Sequence, residues 1–183
     1  PTDYESLRKE YRDAIAALLL AYVAGTLSAS EFNAQAGALI GTDLARAAHL
    51  GGMSQGGGFN QSALDSIVKT EIENLQNAKA DIAANGTDNR AELYGRTMDA
   101  TYSQAALDAI PNPDTAMLTF VGIDGQESCQ TCQDLKGQSH PLSWWNERLL
   151  VPAIGNTKFI CGGWRCQHYL QDVNGDPVTI GFD

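Results

Sequence analysis

The chain has 183 residues, 43% hydrophobic and 19% charged, which is enough for one core, or a core with a small appended module, and too apolar for a disordered chain. Its net charge of −10 is spread along the whole sequence, since both the stretch up to Pro113 and the remainder are acidic. That balance disfavours direct binding to nucleic acid, which calls for a concentrated basic surface, and docking on an anionic membrane.

The first part reads as helices. Tyr4, Leu7, Tyr11, Ile15, Leu18 and Tyr22 recur at steps of three and four and so fall on one helical face. LLLAYVAG, residues 18 to 25, continues this period and is too short to span a bilayer. Glu5 and Glu10 stand where a signal peptide would be basic or apolar, so no signal peptide is expected and the chain is expected to be cytosolic where it is made. Gly25 ends the segment. Ser28 and Glu31 have the spacing of a capping box and start a second helix, with Phe32, Leu39, Ile40, Leu44 and Ala47 on one stripe.

GGMSQGGG, residues 51 to 58, predicts a loop, with a hinge or exposed connector near residues 51 to 60. It is not a phosphate loop, because no Lys-Ser/Thr follows the glycines. A third helix is expected over about residues 61 to 84, with Leu64, Ile67, Val68, Leu75 and Ile82 inward. A fourth is expected over about residues 88 to 110, with Tyr94, Met98, Tyr102 and Ala105 on one side. Pro111 and Pro113 stop it.

Beyond the prolines the character changes. MLTFVGI, residues 117 to 123, has strand composition, and VTIGF, residues 178 to 182, reads as a last strand entered through the turn Asn174-Gly175-Asp176-Pro177. The expected fold class is α+β: long helices over residues 1 to 113, then a small β-rich module over residues 114 to 183.

All four cysteines lie in that module, as Cys129-x-x-Cys132 and Cys161-x-x-x-x-Cys166. Two short-range pairs of thiolates suit a tetrahedral zinc ion, which takes sulfur donors at about 2.3 Å. Gly162 and Gly163 allow the backbone to fold tightly behind Cys161, and His140 and His168 are reserve ligands. The competing readings are two disulfides or one disulfide with two free thiols, which a reducing compartment disfavours, a thioredoxin-like redox pair, disfavoured because Gln133 to His140 does not read as the long helix of a βαβ frame, and plain core thiols. Asp124, Glu127 and Asp134 form no acid/base or metal dyad by spacing. His140 has no recognisable catalytic partner. Trp144, Trp145 and Trp164 read as the core of a small module, with an aromatic binding surface as the alternative.

In order along the chain, Arg96-Thr97 sits on the fourth predicted helix, and Leu118 to Ile123 forms a strand. Cys129-Gln130-Thr131-Cys132 follows, then Leu135-Lys136-Gly137. Pro141-Leu142 and Pro152 lie in the connecting stretch, and Trp164-Arg165-Cys166 precedes His168, Tyr169 and Leu170. Over residues 88 to 172 this order resembles the F-like minor head proteins of phage Mu and its relatives. Their pattern runs from a helical Arg-Thr through a strand and a Cys-x-x-Cys with Leu-x-Gly to a closing His-Pro-x-Cys-Arg-Cys. Aligned on Arg165-Cys166, Cys161 occupies the family's histidine position and Trp164 its penultimate cysteine position. The exchange at Cys161 keeps the number of donors at four.

The resemblance implies a structural protein and no enzyme: a minor component of a bacteriophage head, acting in head morphogenesis and capsid assembly. Its implied partners are the portal and the major capsid protein, with self-association compatible. Its implied location is the virion head, after assembly in the host cytoplasm. The alternatives are a zinc-ribbon nucleic-acid-binding module and a small His/Cys nuclease or hydrolase. The first is disfavoured because Lys136, Arg148, Lys158 and Arg165 are outnumbered by acids in the module. The second is disfavoured because His140 and His168 lack a catalytic constellation.

Overall fold

A computed structural model describes residues 2–75, 82, 86–122, 128–153, 156–162 and 167–181. Among the described residues, four long helices come first: α1 Thr2–Val23, α2 Ala29–Ser54, α3 Gln61–Asn74 and α4 Thr87–Asp108. A small module follows, with β1 Met117–Gly122, α5 Gln130–Leu135, β2 Ser139–Pro141, α6 Leu142–Glu147 and β3 His168–Gln171. The fold is α+β, as the composition of the two parts predicts. Among the described residues, no helix is long and apolar enough to cross a membrane.

The helices form where the sequence places caps and apolar stripes. On α1 the buried face is Tyr4, Leu7, Tyr11, Ile15 and Leu19, while Leu18 and Tyr22 pack at its margin. With 3.6 residues per turn, steps of four keep the stripe on the core better than a late step of three. Ser28 Oγ accepts the Glu31 N–H at 3.2 Å, and Glu31 Oε2 accepts the Ser28 N–H at 2.9 Å. The Ser28 hydroxyl, which also donates to Glu31 Oε2 at 2.7 Å, and then the Ser28 N–H hold the Glu31 carboxyl below its ordinary value. Asn60 caps α3 through the Ala63 N–H.

The glycine-rich stretch departs from expectation. Residues 51 to 54 complete α2, and Gly51 and Gly52 are buried in its last turn. A Cβ at Gly51 would lie 2.2 Å from the Tyr102 carbonyl oxygen, and one at Gly52 2.6 Å from that of Gly58. These glycines therefore serve close backbone approach: α4 presses on the end of α2, and the chain turns back over it. The Gln55 N–H and the Gly57 N–H both donate to the Gly52 carbonyl, at 3.2 and 3.0 Å. Helix propensity alone disfavours glycine here, and tertiary packing overrides it.

α3 ends at Asn74 and α4 begins at Thr87. The expected continuation of the third helix to residue 84 falls on residues of which only Leu75 and Ile82 are described, and both are buried. Tyr94, Met98 and Ala105 are buried on α4 as their spacing predicts.

A polar contact fixes α1 to α4. Asp99 is 1% exposed and accepts from Tyr4 Oη at 2.6 Å and from Arg8 Nε at 2.8 and 2.9 Å. Arg8 also reaches Glu92 at 3.1 Å. Burial pushes the Asp99 carboxyl up, and Arg8 and Tyr4 hold that rise in check.

Two cores meet inside α4. The helical core runs along it to Ala105, and the second core begins at Ala106 and Leu107. The second core gathers Leu118, Phe120, Leu135, Leu142, Trp145, Phe159, Leu170 and Val178 around a three-stranded antiparallel sheet of order β2-β1-β3. Leu118 pairs with His140 and Phe120 with Leu170. Trp145 is fully buried, and its Nε1–H donates to the carbonyls of Leu118 and His140 at 3.1 Å, which ties α6 to the sheet.

Among the described residues the expected last strand forms no ladder, and one bridge, Gln171 with Pro177, stands just before it. Pro177 has no N–H to donate. Val178 and Thr179 both donate to the Leu170 carbonyl, while Thr179 Oγ1 takes the Leu170 N–H. The ladder is therefore used up at one residue, and the chain passes on to α4, where Ser103 Oγ accepts the Ile180 N–H at 2.9 Å. Phe182 lies outside the described residues. The turn before it forms as expected, with Asp172 Oδ1 accepting the N–H groups of Asn174 and Asp176.

Candidate metal centre

Three sulfurs come together from two segments. Cys129 is the N-cap of α5, with extended backbone, and Cys132 is the third residue of that helix. A cap and the third helical residue lie on one side of a single turn, so a two-residue gap places both thiols together. Cys129 Sγ is 3.4 Å from Cys132 Sγ. The short helix is anchored by Leu135, which is buried, and ended by Gly137 at φ +81°. Gly137 N–H donates to the Phe120 carbonyl at 2.8 Å. The Leu-x-Gly after the cysteines thus has a physical role: the leucine enters the core, and the glycine takes the left-handed turn that leads into β2.

Cys161 comes from the segment between α6 and β3. Phe159, two residues earlier, is buried and stacked on Phe120 with centroids 6.0 Å apart. Gly162 at φ +61° closes the turn, its N–H donating to the Phe159 carbonyl at 2.8 Å. The sulfurs of Cys129, Cys132 and Cys161 all lie within 4.8 Å of one another. Two sulfurs on a tetrahedral ion at 2.3 Å are about 3.8 Å apart, so the cluster has the dimensions of a metal site. These three cysteines could hold a metal ion, and none of them is in a disulfide.

The local electrostatics favour a thiolate. Partial burial opposes ionisation of Cys129. The backbone N–H groups of Cys132 and Cys161, and then their thiols, act the other way and bring it down to about 7. A sulfur already tuned toward the anion is a better donor to a cation.

The other expected site residues fall as follows. Cys166, Gly163, Trp164 and Arg165 lie outside the described residues, as do Asp124 and Glu127. His140 and His168 are not in the close group of donors found among the described residues. His140 stacks on Trp144 with centroids 3.6 Å apart, and its Nε2 lies 3.1 Å from Gln138 Oε1. His168 is 1% exposed in β3 and stacks on Phe120 at 5.3 Å. It packs so closely against β1 that a Cβ at Gly122 would meet its ring at 2.7 Å. Trp145 is core, as composition suggests, whereas Trp144 is half-buried between His140 and Arg148, whose guanidinium carbon is 4.4 Å from its ring centroid. Of the Arg-Thr pair, Thr97 donates to Glu71 at 2.9 Å and joins α4 to α3.

Sequence reasoning missed Phe159 and Phe120 as the pair that delivers Cys161. Phe159 stands two residues before Cys161 with only Ile160 between them, and nothing in the sequence pairs it with Phe120. No family model matches this chain, and neither a curated protein nor a solved structure matches it.

Proposed function

We propose that this chain is a structural minor component of a tailed-phage head, acting in head assembly at or near the portal. Its C-terminal module is stapled by zinc on Cys129, Cys132 and Cys161, with Cys166 as the fourth donor. The supporting observation is the meeting of the two halves of the cysteine signature. Cys129 and Cys132 on one segment and Cys161 on another bring three sulfurs within 4.8 Å. In sequence these same segments carry the resemblance to the phage Mu F-like minor head proteins. A donor set made wholly of thiolates suits zinc over harder cations.

In this reading the metal is structural. The second core is small and shares α4 with the first, so a metal cross-link between α5 and the turn at Cys161 stabilises a module that its apolar burial alone holds weakly. The protein works by binding and assembly, and its partners are the portal and the major capsid protein. The net charge of −10 limits adhesion to packaged DNA.

The direct test is its place in the particle. Purified virions should contain the chain, and affinity capture of the portal from infected cells should bring it down. Absence from both virions and portal complexes rejects the assignment, whatever the metal content.

A further inference from the structure

The cysteine cluster admits a second chemistry. It rests on the same thiols as the metal reading but does not require a bound metal. Cys129 Sγ and Cys132 Sγ are 3.4 Å apart, so a modest side-chain rotation would bring them to the bonding distance of about 2.05 Å. Their surroundings are unequal. Cys132 is 1% exposed inside α5, whereas Cys129 is half-buried at the cap. An accessible thiol backed by a buried one is the arrangement in which an oxidised sulfur is captured by its neighbour before further oxidation. Cys161 is also near, but it belongs to a different segment and would close a long loop.

We propose that Cys129 is a thiol reactive toward hydrogen peroxide and that Cys132 resolves it. The Cys129 sulfur attacks one peroxide oxygen. An S–O bond forms, the O–O bond breaks, and the departing oxygen leaves as water with the thiol proton, so Cys129 becomes a sulfenic acid. The Cys132 sulfur then attacks the Cys129 sulfur. The S–S bond forms, the S–O bond breaks, and a second water leaves with the Cys132 proton. Two thiols lose two electrons and one peroxide gains them. The disulfide removes two sulfurs from any metal, so oxidation and metal binding compete for one set of donors.

The test uses the full chain, one portion stripped with a chelator and one loaded with zinc. Both are treated with hydrogen peroxide, alkylated and digested with trypsin. Cys129 and Cys132 remain together on the peptide from Thr97 to Lys136, whereas Cys161 falls on the peptide from Phe159 to Arg165. In the stripped protein the first peptide should lose two hydrogens, and zinc should slow that loss. In Cys132→Ser, a sulfenic-acid probe should accumulate on Cys129. The proposal is overturned if the first disulfide joins the two peptides. It is equally overturned if Cys129 remains alkylatable at peroxide levels that oxidise free cysteine. If the chain takes up no zinc, the metal reading fails, while the stripped arm still decides this one.

Discussion

Removing the Arg8 side chain strands a buried carboxylate, and the effect can be worked out from the contact. Asp99 is 1% exposed and accepts the single Arg8 Nε–H, shared between its two carboxylate oxygens at 2.8 and 2.9 Å, and the Tyr4 hydroxyl. Arg8→Ala deletes the guanidinium contact and leaves the Tyr4 hydroxyl. One hydrogen bond between fully charged partners contributes up to about 3 kcal/mol. The loss is then about 3 kcal/mol, at the lower edge of the range for breaking a buried ion pair. The lower edge is apt because the Arg8 side chain is 23% exposed, so water can reach part of the vacated space.

The pH dependence follows from the direction of the Asp99 shift. Burial raises this carboxyl above its ordinary value in the folded state. Between the unfolded and folded pKa values the folded protein binds the extra proton, so stability from this group falls as pH rises through that window and is flat above it. Without Arg8 the folded pKa rises further and the window widens upward. The deficit of Arg8→Ala should therefore be full at neutral pH and shrink toward the carboxylate range. Urea unfolding followed by the helical circular dichroism signal, at neutral and mildly acidic pH, measures it. The same substitution in an Asp99→Asn background should cost about 1 kcal/mol, because no charge is stranded. A deficit below about 1 kcal/mol at neutral pH, independent of Asp99, is the behaviour of a surface pair and would falsify the buried-carboxylate account.

Gly51→Ala puts a Cβ 2.2 Å from the Tyr102 carbonyl oxygen. It should destabilise the helical core by about 3 kcal/mol or prevent folding, whereas Gly41→Ala, with open space around it, should be neutral or slightly stabilising in the same unfolding assay. Leu149 sits at φ 57° just past α6, with its N–H on the Asn146 carbonyl and the Leu150 N–H on the Trp145 carbonyl. Leu149→Gly should therefore stabilise by about 1 kcal/mol, read as a higher urea midpoint. Phe159→Ala removes the stacking partner of Phe120 that carries Cys161 into place. It should cost about 3 kcal/mol or more and weaken metal retention against a chelator in parallel.

The parts of the fold set by local rules were legible. Ser28 and Glu31 announce a helix start through capping-box spacing, and the apolar stripe on α1 names four of the five residues buried there, whereas the stripes on α2 and α4 name fewer than half. Pro111 and Pro113 mark where helix gives way to sheet. The misses are cases in which distant packing overrides a local signal. Gly51 and Gly52 look like a loop because glycine disfavours helix, yet α4 needs the room that an absent Cβ leaves. VTIGF has strand composition, but a proline without a donor and a threonine hydroxyl competing for Leu170 divert it. Tyr4, Arg8 and Asp99 look like ordinary helix-surface residues until α1 and α4 are laid together. Cys129 and Cys132 were readable from a two-residue gap, and so was the presence of Cys161 in a second pair. That Cys161 reaches them depends on Phe159 meeting Phe120, which no spacing in the sequence encodes.

The zinc content of protein purified without added metal, with Cys161→Ser measured alongside, most directly tests the central claim that these cysteines form a structural metal centre. The account predicts about one zinc per chain, retained through gel filtration. Cys161→Ser should lose most of that zinc and destabilise the C-terminal module while α1 to α4 remain helical. A metal-free protein with reduced thiols, whose module unfolds at the same denaturant concentration with and without zinc, would contradict it.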